Sequence, residues 1–405
     1  MQKRVFIGDF KVGARERELV QKVLESNRLS EWKMVEEFER KFALYVQRKH
    51  AVAFNSGTSA EICAFEALKQ GNLVDCKEKP LVLTNPLTFA ATVNAIKLSG
   101  FEPAFADIAL ETLNLSIEKV KEFFESIESQ KCSVLMPVFL MGFSANIVEM
   151  EKIARKAGVF LFSDCAQSHG ALFKNKKIGS FGDLSAFSFY ISHNIQAGEM
   201  GALASNNAEL VSMFKKIKSY GKNGSQREPS PEFLALLKSK GISLEDVDAR
   251  FTMEFVGYNF RTTELTAAIG IAQLEKAEET KRKRQENVKY LNEGLQKFSD
   301  VLQLPVFSKE NDYLGYPLII KKPEKINRKK FRNALEAKGI ETRPLFGCIP
   351  FHQPQYVYLR QKYEGGLSNA LFAGENGFYV GCHQYLTQAE LDCIIKAVSE
   401  TVGKK

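Results

Sequence analysis

From about residue 50 onward, short apolar runs alternate with segments whose apolar positions recur at helical spacing. HAVAF (50–54), PLVLT (80–84), PAFAD (103–107), SVLMPVF (133–139) and VFLFSD (159–164) are strand-like. The intervening segments 58–69, 88–99, 116–128 and 146–157 have helical periodicity. Such alternation predicts parallel βαβ units and an α/β sheet. LSAFSFY (184–190) and GALAS (201–205) predict two further strands on either side of a loop that carries His193.

The alternation breaks at 221–250, where Gly, Pro and Ser enclose one short helical pattern; this reads as an insertion or lid. A long helix is predicted over about 262–298. It leads into a smaller α/β portion with a strand at 313–320, a helix at 327–338 and a final helix from about 387. A chain of 405 residues exceeds one ordinary core. Two domains are therefore expected: a large one over 1–260, and the linking helix with a small C-terminal domain over 261–405.

Composition narrows the class. The chain is 44% hydrophobic and 26% charged, as a globular protein is, and no run of 18 apolar residues predicts a membrane span. MQKRVFIGDFKVGARERE lacks the apolar centre of a signal peptide. Seven cysteines, an odd number with no CxxC pair, read as reduced and mostly buried thiols of a cytoplasmic protein. The net charge is +8, and its densest basic run, KRKR at 281–284, lies in a stretch that also carries acids. It reads as a solvated helix face, so no nucleic-acid partner is predicted.

Three positions carry candidate chemistry. Asn55 to Ala60, NSGTSA, follows a strand and opens a helix, so the N–H groups at Gly57 and Thr58 form either a plain cap or an anion site. Asp164 ends a strand, as a helix cap or as a carboxylate presented to a ligand. His193 supplies an imidazole, whose ordinary pKa of about 6.5 leaves it mostly neutral and able to accept a proton near pH 7. His352 and His383 form no spaced ligand set, so no metal is predicted.

Several segments together resemble one family. They are NSGTSA (55–60), NPLTFAATVNA (85–95), DCAQSHGA (164–171), SAFSFYISHNIQAGEMGAL (185–203), YNFRTTELTAAIG (258–270) and ETRPLFGCIPFHQPQY (341–356). In this order they resemble the DegT/DnrJ/EryC1/StrS sugar aminotransferases, and the likeness runs from about residue 5 to 400. The resemblance implies the aspartate aminotransferase-like fold (fold type I): a large domain with a mixed, mostly parallel sheet, and a small C-terminal α/β domain. It also implies pyridoxal 5′-phosphate (PLP) or its amine form, pyridoxamine 5′-phosphate (PMP), as cofactor. Gly57, Thr58 and Ser188 would then meet the phosphate, Phe89 would lie over the pyridine and Asp164 would pair with its nitrogen. Gln167 would stand beside the ring hydroxyl. Asn259 would reach the phosphate from the partner subunit of a homodimer with shared active sites. Arg343 would contact substrate or amino-donor carboxylate, or form a structural ion pair.

His193 stands where the family carries the lysine that tethers the cofactor covalently. That exchange resembles the nucleotide-sugar 3-dehydratase branch, in which histidine is the catalytic base. The resemblance implies removal of the C3 hydroxyl from a nucleotide-linked 4-keto-6-deoxy sugar, with glutamate as amino donor. A related branch uses an iron–sulfur cluster, but no cysteine lies between Cys165 and Cys348. Clustered thiolates are needed to hold one, so the cluster-free GDP-4-keto-6-deoxymannose 3-dehydratase type is expected. Asn194, Met200 and the DCAQSHGA segment depart from that branch. A nucleotide-sugar aminotransferase-like enzyme with atypical chemistry, or a non-catalytic PLP-binding homologue, is the alternative.

Overall fold

The computed structural model describes residues 4–222, 231–243, 245 and 248–403. The predicted runs become strands β1 (His50–Phe54), β2 (Leu81–Thr84), β3 (Glu102–Phe105), β4 (Cys132–Met136) and β5 (Phe160–Asp164). A small hairpin, β6 (Leu172–Phe173) and β7 (Lys176–Lys177), precedes β8 (Leu184–Ser188) and β9 (Gly201–Ser205). Seven of these form one sheet in the order β1-β9-β8-β5-β4-β2-β3.

All its strands run the same way except β9, which lies antiparallel between β1 and β8. The reason is local. β8 and β9 are neighbours joined by the short 189–200 loop, and a parallel pairing would need a full crossover. Alternate residues enter different cores: Val52 and Phe54 pack on one face, Ala51 and Ala53 on the other. Burial on both faces is why these strands read as continuous apolar runs.

The smaller sheet is antiparallel: β10 (Leu302–Gln303), β11 (Tyr316–Ile320), β12 (Arg343–Pro344) and β13 (Gly377–Val380), in the order β10-β11-β13-β12. Helices Arg328–Ala337 and Gln388–Gly403 accompany it. The strand expected at 313–320 starts late, because Tyr313 adopts φ 46°. No helix of the described residues is long and apolar enough to cross a membrane.

Two further expectations are corrected. The long helix over 262–298 is two helices, Glu264–Leu274 and Ala277–Leu295. Lys276 leaves helical geometry at the join, where Glu275 pairs with Arg15 and Lys41, and Lys276 with Glu16. The KRKR run is not simply a solvated face. Arg282 and Lys283 pair with Glu286 and Glu279 on the outside, but Lys281 and Arg284 are buried. Lys281 donates to the Gly170 carbonyl at 2.7 Å and Arg284 to the Leu314 carbonyl at 2.8 Å, so half the run fastens the helix to both halves of the molecule. In the 221–250 segment, residues 223–230, 244, 246 and 247 lie outside the described residues. The short helix there is Pro231–Ser239, and its Phe233 and Leu237 are buried.

Candidate active site

A cleft of about 1010 Å³ opens at the carboxyl ends of β1, β5 and β8, with Arg343, Phe346 and Tyr379 on its far wall. This is where open α/β sheets bind ligands, since the strand ends and the helix starts that follow them converge there. Gly57, Thr58, Phe89, Asp164, Gln167, Ser188, His193 and Arg343 all line it. Asn259 does not: it is exposed on the surface and accepts a hydrogen bond from Arg261 Nε at 3.1 Å.

The helix Gly57–Gln70 begins directly after β1, and Ser56 caps it by accepting from the Ser59 N–H at 3.1 Å. Its first N–H groups have no partner within the helix and carry its positive end. A Cβ on Gly57 would stand 2.7 Å from Ser188 Cβ, so only glycine lets this helix start close on β8. The outcome is a cradle for an anionic group.

Asp164 is buried at the end of β5. It accepts from the Ala166 N–H at 3.0 Å and the Thr92 hydroxyl at 2.8 Å. Burial raises its pKa, and these hydrogen bonds oppose the rise. Beside it lies Glu61, one helical turn beyond Gly57 and also lining the cleft. Sequence reading missed Glu61 and Thr92. An acid in an otherwise apolar stretch (AEICAF) was the available signal for the first; the second closes the TFAAT segment that carries Phe89.

His193 sits in the loop between β8 and β9. Bonds from the Phe189 N–H to the Met200 carbonyl and from the Ala197 N–H to the Phe189 carbonyl, each 2.8 Å, tie that loop down. Its Nδ1 lies 2.8 Å from the Ser188 carbonyl. A carbonyl can only accept, so Nδ1 carries the hydrogen and Nε2 is left with a free lone pair. Burial pushes the pKa down to about 4; the Ser188 carbonyl opposes this and Arg284 adds to it. His193 is thus neutral near pH 7. No lysine lines the cleft among the described residues.

Phe89 is a wall of the cleft and no core residue: it is 60% exposed and stands 5.7 Å from Phe346, ring to ring. Gln167 is held by accepting the Met141 N–H at 2.9 Å. Arg343 lines the cleft and lies 3.4 Å from Glu341. The departures noted in the sequence point elsewhere. Met200 is buried against Gly270 and Phe38, and Asn194 donates to the Asp312 carbonyl at 2.9 Å. His169 is buried among Phe42, Phe187 and Phe189, with both ring nitrogens unpaired and its pKa pushed down to about 3 by burial.

These groups fit pyridoxal phosphate. The helix start suits its phosphate, Phe89 offers an aromatic face, and Asp164, a buried carboxylate that forms no ion pair among the described residues, suits a cationic ring nitrogen. Fold and cleft together define a protein of the PLP-dependent aminotransferase-like class. The chain belongs to the DegT/DnrJ/EryC1/StrS aminotransferase family, whose model matches residues 11–399. It is 28% identical over 401 residues to lipopolysaccharide biosynthesis protein RfbH of Salmonella typhimurium, covering 97% of this chain and 90% of that one. It is 27% identical over 403 residues to GDP-perosamine synthase of Caulobacter vibrioides, covering 98% of each. The solved structure of E. coli GDP-4-keto-6-deoxy-D-mannose-3-dehydratase with bound hydrated PLP superimposes with a TM-score of 0.83 at 25% identity, covering 98% of this chain and 100% of that one.

Proposed function

We propose that this chain is a PLP/PMP-dependent dehydratase that removes the C3 hydroxyl of a nucleotide-linked 4-keto-6-deoxy sugar, with glutamate as amino donor. One observation carries the reading: a neutral histidine with a free Nε2 stands in a cleft that no lysine lines among the described residues. Without a lysine amine the cofactor is held noncovalently, and the base available at the reacting centre is imidazole.

When bound, the cofactor supplies an amine that can join the C4 ketone and a ring that withdraws electrons. The chain does the rest. Gly57, Thr58 and Ser188 hold the phosphate, Phe89 covers one face of the ring and Asp164 keeps a proton on its nitrogen. Gln167 orients the ring through its hydroxyl. His193 Nε2 takes up a carbon-bound proton and returns it to the departing C3 oxygen, while Nδ1 stays on the Ser188 carbonyl. Such acid–base work contributes about 10²–10⁴-fold. Arg343 faces the same space and suits a carboxylate or a nucleotide phosphate. Asn259, exposed and outside its own cleft, suits the cleft of a second copy in a homodimer.

The fate of nitrogen tests the proposal. With ¹⁵N-glutamate and a 4-keto nucleotide sugar, dehydration releases labelled ammonium and a 3-deoxy ketone, with deuterium at C3 when run in heavy water. Likeness to GDP-perosamine synthase favours a second reading, sugar transamination. An amino sugar carrying ¹⁵N would establish that reading and overturn ours.

A further inference from the structure

Glu61 and Asp164 lie together at the base of the cleft, each only 4% exposed. Asp164 is built to be an anion, with the Ala166 N–H and the Thr92 hydroxyl both donating to it. Glu61 is not. Its Oε2 makes no hydrogen bond, and Asp164 is the charged group that bears on it. Two carboxylates buried side by side without a cation cannot both ionise. One proton stays, and burial together with the neighbouring anion holds it on Glu61, whose pKa lies well above the usual carboxyl range. The pair thus carries a single negative charge.

We propose that Glu61 is a positioning residue for the cofactor ring: its carboxyl donates a hydrogen bond to Asp164 and so keeps the ring proton on the pyridine nitrogen. The inference rests on the PLP reading above. In a dry site the charged pair, N–H⁺ facing carboxylate, competes with a neutral pair in which the proton has moved to oxygen. Every hydrogen bond donated to the carboxylate lowers its proton affinity. A neutral carboxyl does this without adding a positive charge that would repel the ring. Glu61 also lies four residues after Gly57, on the same face of one helix. A single rigid element therefore supports the cofactor's phosphate at its start and the nitrogen's partner one turn later.

Two measurements test this. In the cofactor-free protein at neutral pH, an infrared difference spectrum of wild type against E61Q should contain a protonated-carboxyl band that E61Q lacks; its absence overturns the assignment whatever the cofactor. In the protein loaded with PMP labelled with ¹⁵N in the ring, the nitrogen should resonate as protonated in wild type and in E61Q, whose amide still donates. In E61M, or E61L should that variant not fold, it should move toward the unprotonated position. An unmoved resonance there overturns the role. Failure of wild type to bind PMP would overturn the cofactor reading and this role with it, and the infrared band would show separately whether Glu61 holds the proton.

Discussion

Replacing His193 with asparagine removes one atom that matters and keeps another. The asparagine amide nitrogen branches from Cγ as Nδ1 does, so it can still donate to the Ser188 carbonyl, now 2.8 Å from the imidazole. That bond contributes about 0.5–1.5 kcal/mol and helps hold the loop. What disappears is Nε2. With a pKa near 4, the wild-type ring is almost wholly neutral at pH 7, and Nε2 is available in nearly every molecule. An amide offers no comparable base. Loss of general acid–base catalysis lowers kcat by about 10²–10⁴-fold, which is about 2.7–5.4 kcal/mol in the barrier. The assay is kcat for consumption of the 4-keto sugar nucleotide, with PMP affinity by fluorescence titration and Tm measured on the same protein. We expect the rate to collapse while affinity and Tm stay at wild-type values. A near-native kcat would refute His193 as the base. A loss of PMP binding that accounts for the whole loss of rate would make it a binding residue instead.

Gly57→Ala puts a methyl 2.7 Å from Ser188 Cβ and must push the helix start off β8. We expect a destabilisation of about 1–3 kcal/mol from overpacking together with weakened PMP binding, and unchanged affinity would refute the phosphate cradle. Acid should destabilise the fold through His169 and His383, which are buried, and His193, which is partly buried. His169 is held down to about 3, and His193 and His383 to about 4, all chiefly by burial. Each folded pKa lies below the unfolded value, so protonation favours the unfolded chain. The stability contributed by each is intact above about pH 6.5 and falls by up to about 1.4 kcal/mol per pH unit below it. Denaturation midpoints between pH 7 and 4.5 measure that slope. His169→Phe, which replaces two unpaired buried nitrogens in an aromatic cage, should reduce the slope and add on the order of 1 kcal/mol at pH 7; an unchanged slope would refute the assignment.

Much was legible in the chain by itself. The doubly buried strands announce themselves as apolar runs, because covering both faces leaves no polar alternation. Gly57, Asp164 and Ser188 were picked out by motifs that resemble the family's, and the structure brings all three to the same cleft. His193 stood out as the residue in place of the family's lysine, and it lines that cleft too. Other features are set by distance in space and leave no trace in local sequence. The proton shared by Glu61 and Asp164 depends on a helix and a strand end meeting, 103 positions apart in the chain. Which imidazole nitrogen is free depends on where the Ser188 carbonyl turns. Lys281 and Arg284 looked solvated because mixed charge usually is; their burial is met by the carbonyls of Gly170, Tyr313 and Leu314 and by the Gln384 side-chain oxygen, none of which local sequence announces. Periodicity records which face of an element is covered. The partner that covers it, and so the charge state of every buried group, is decided when the elements pack.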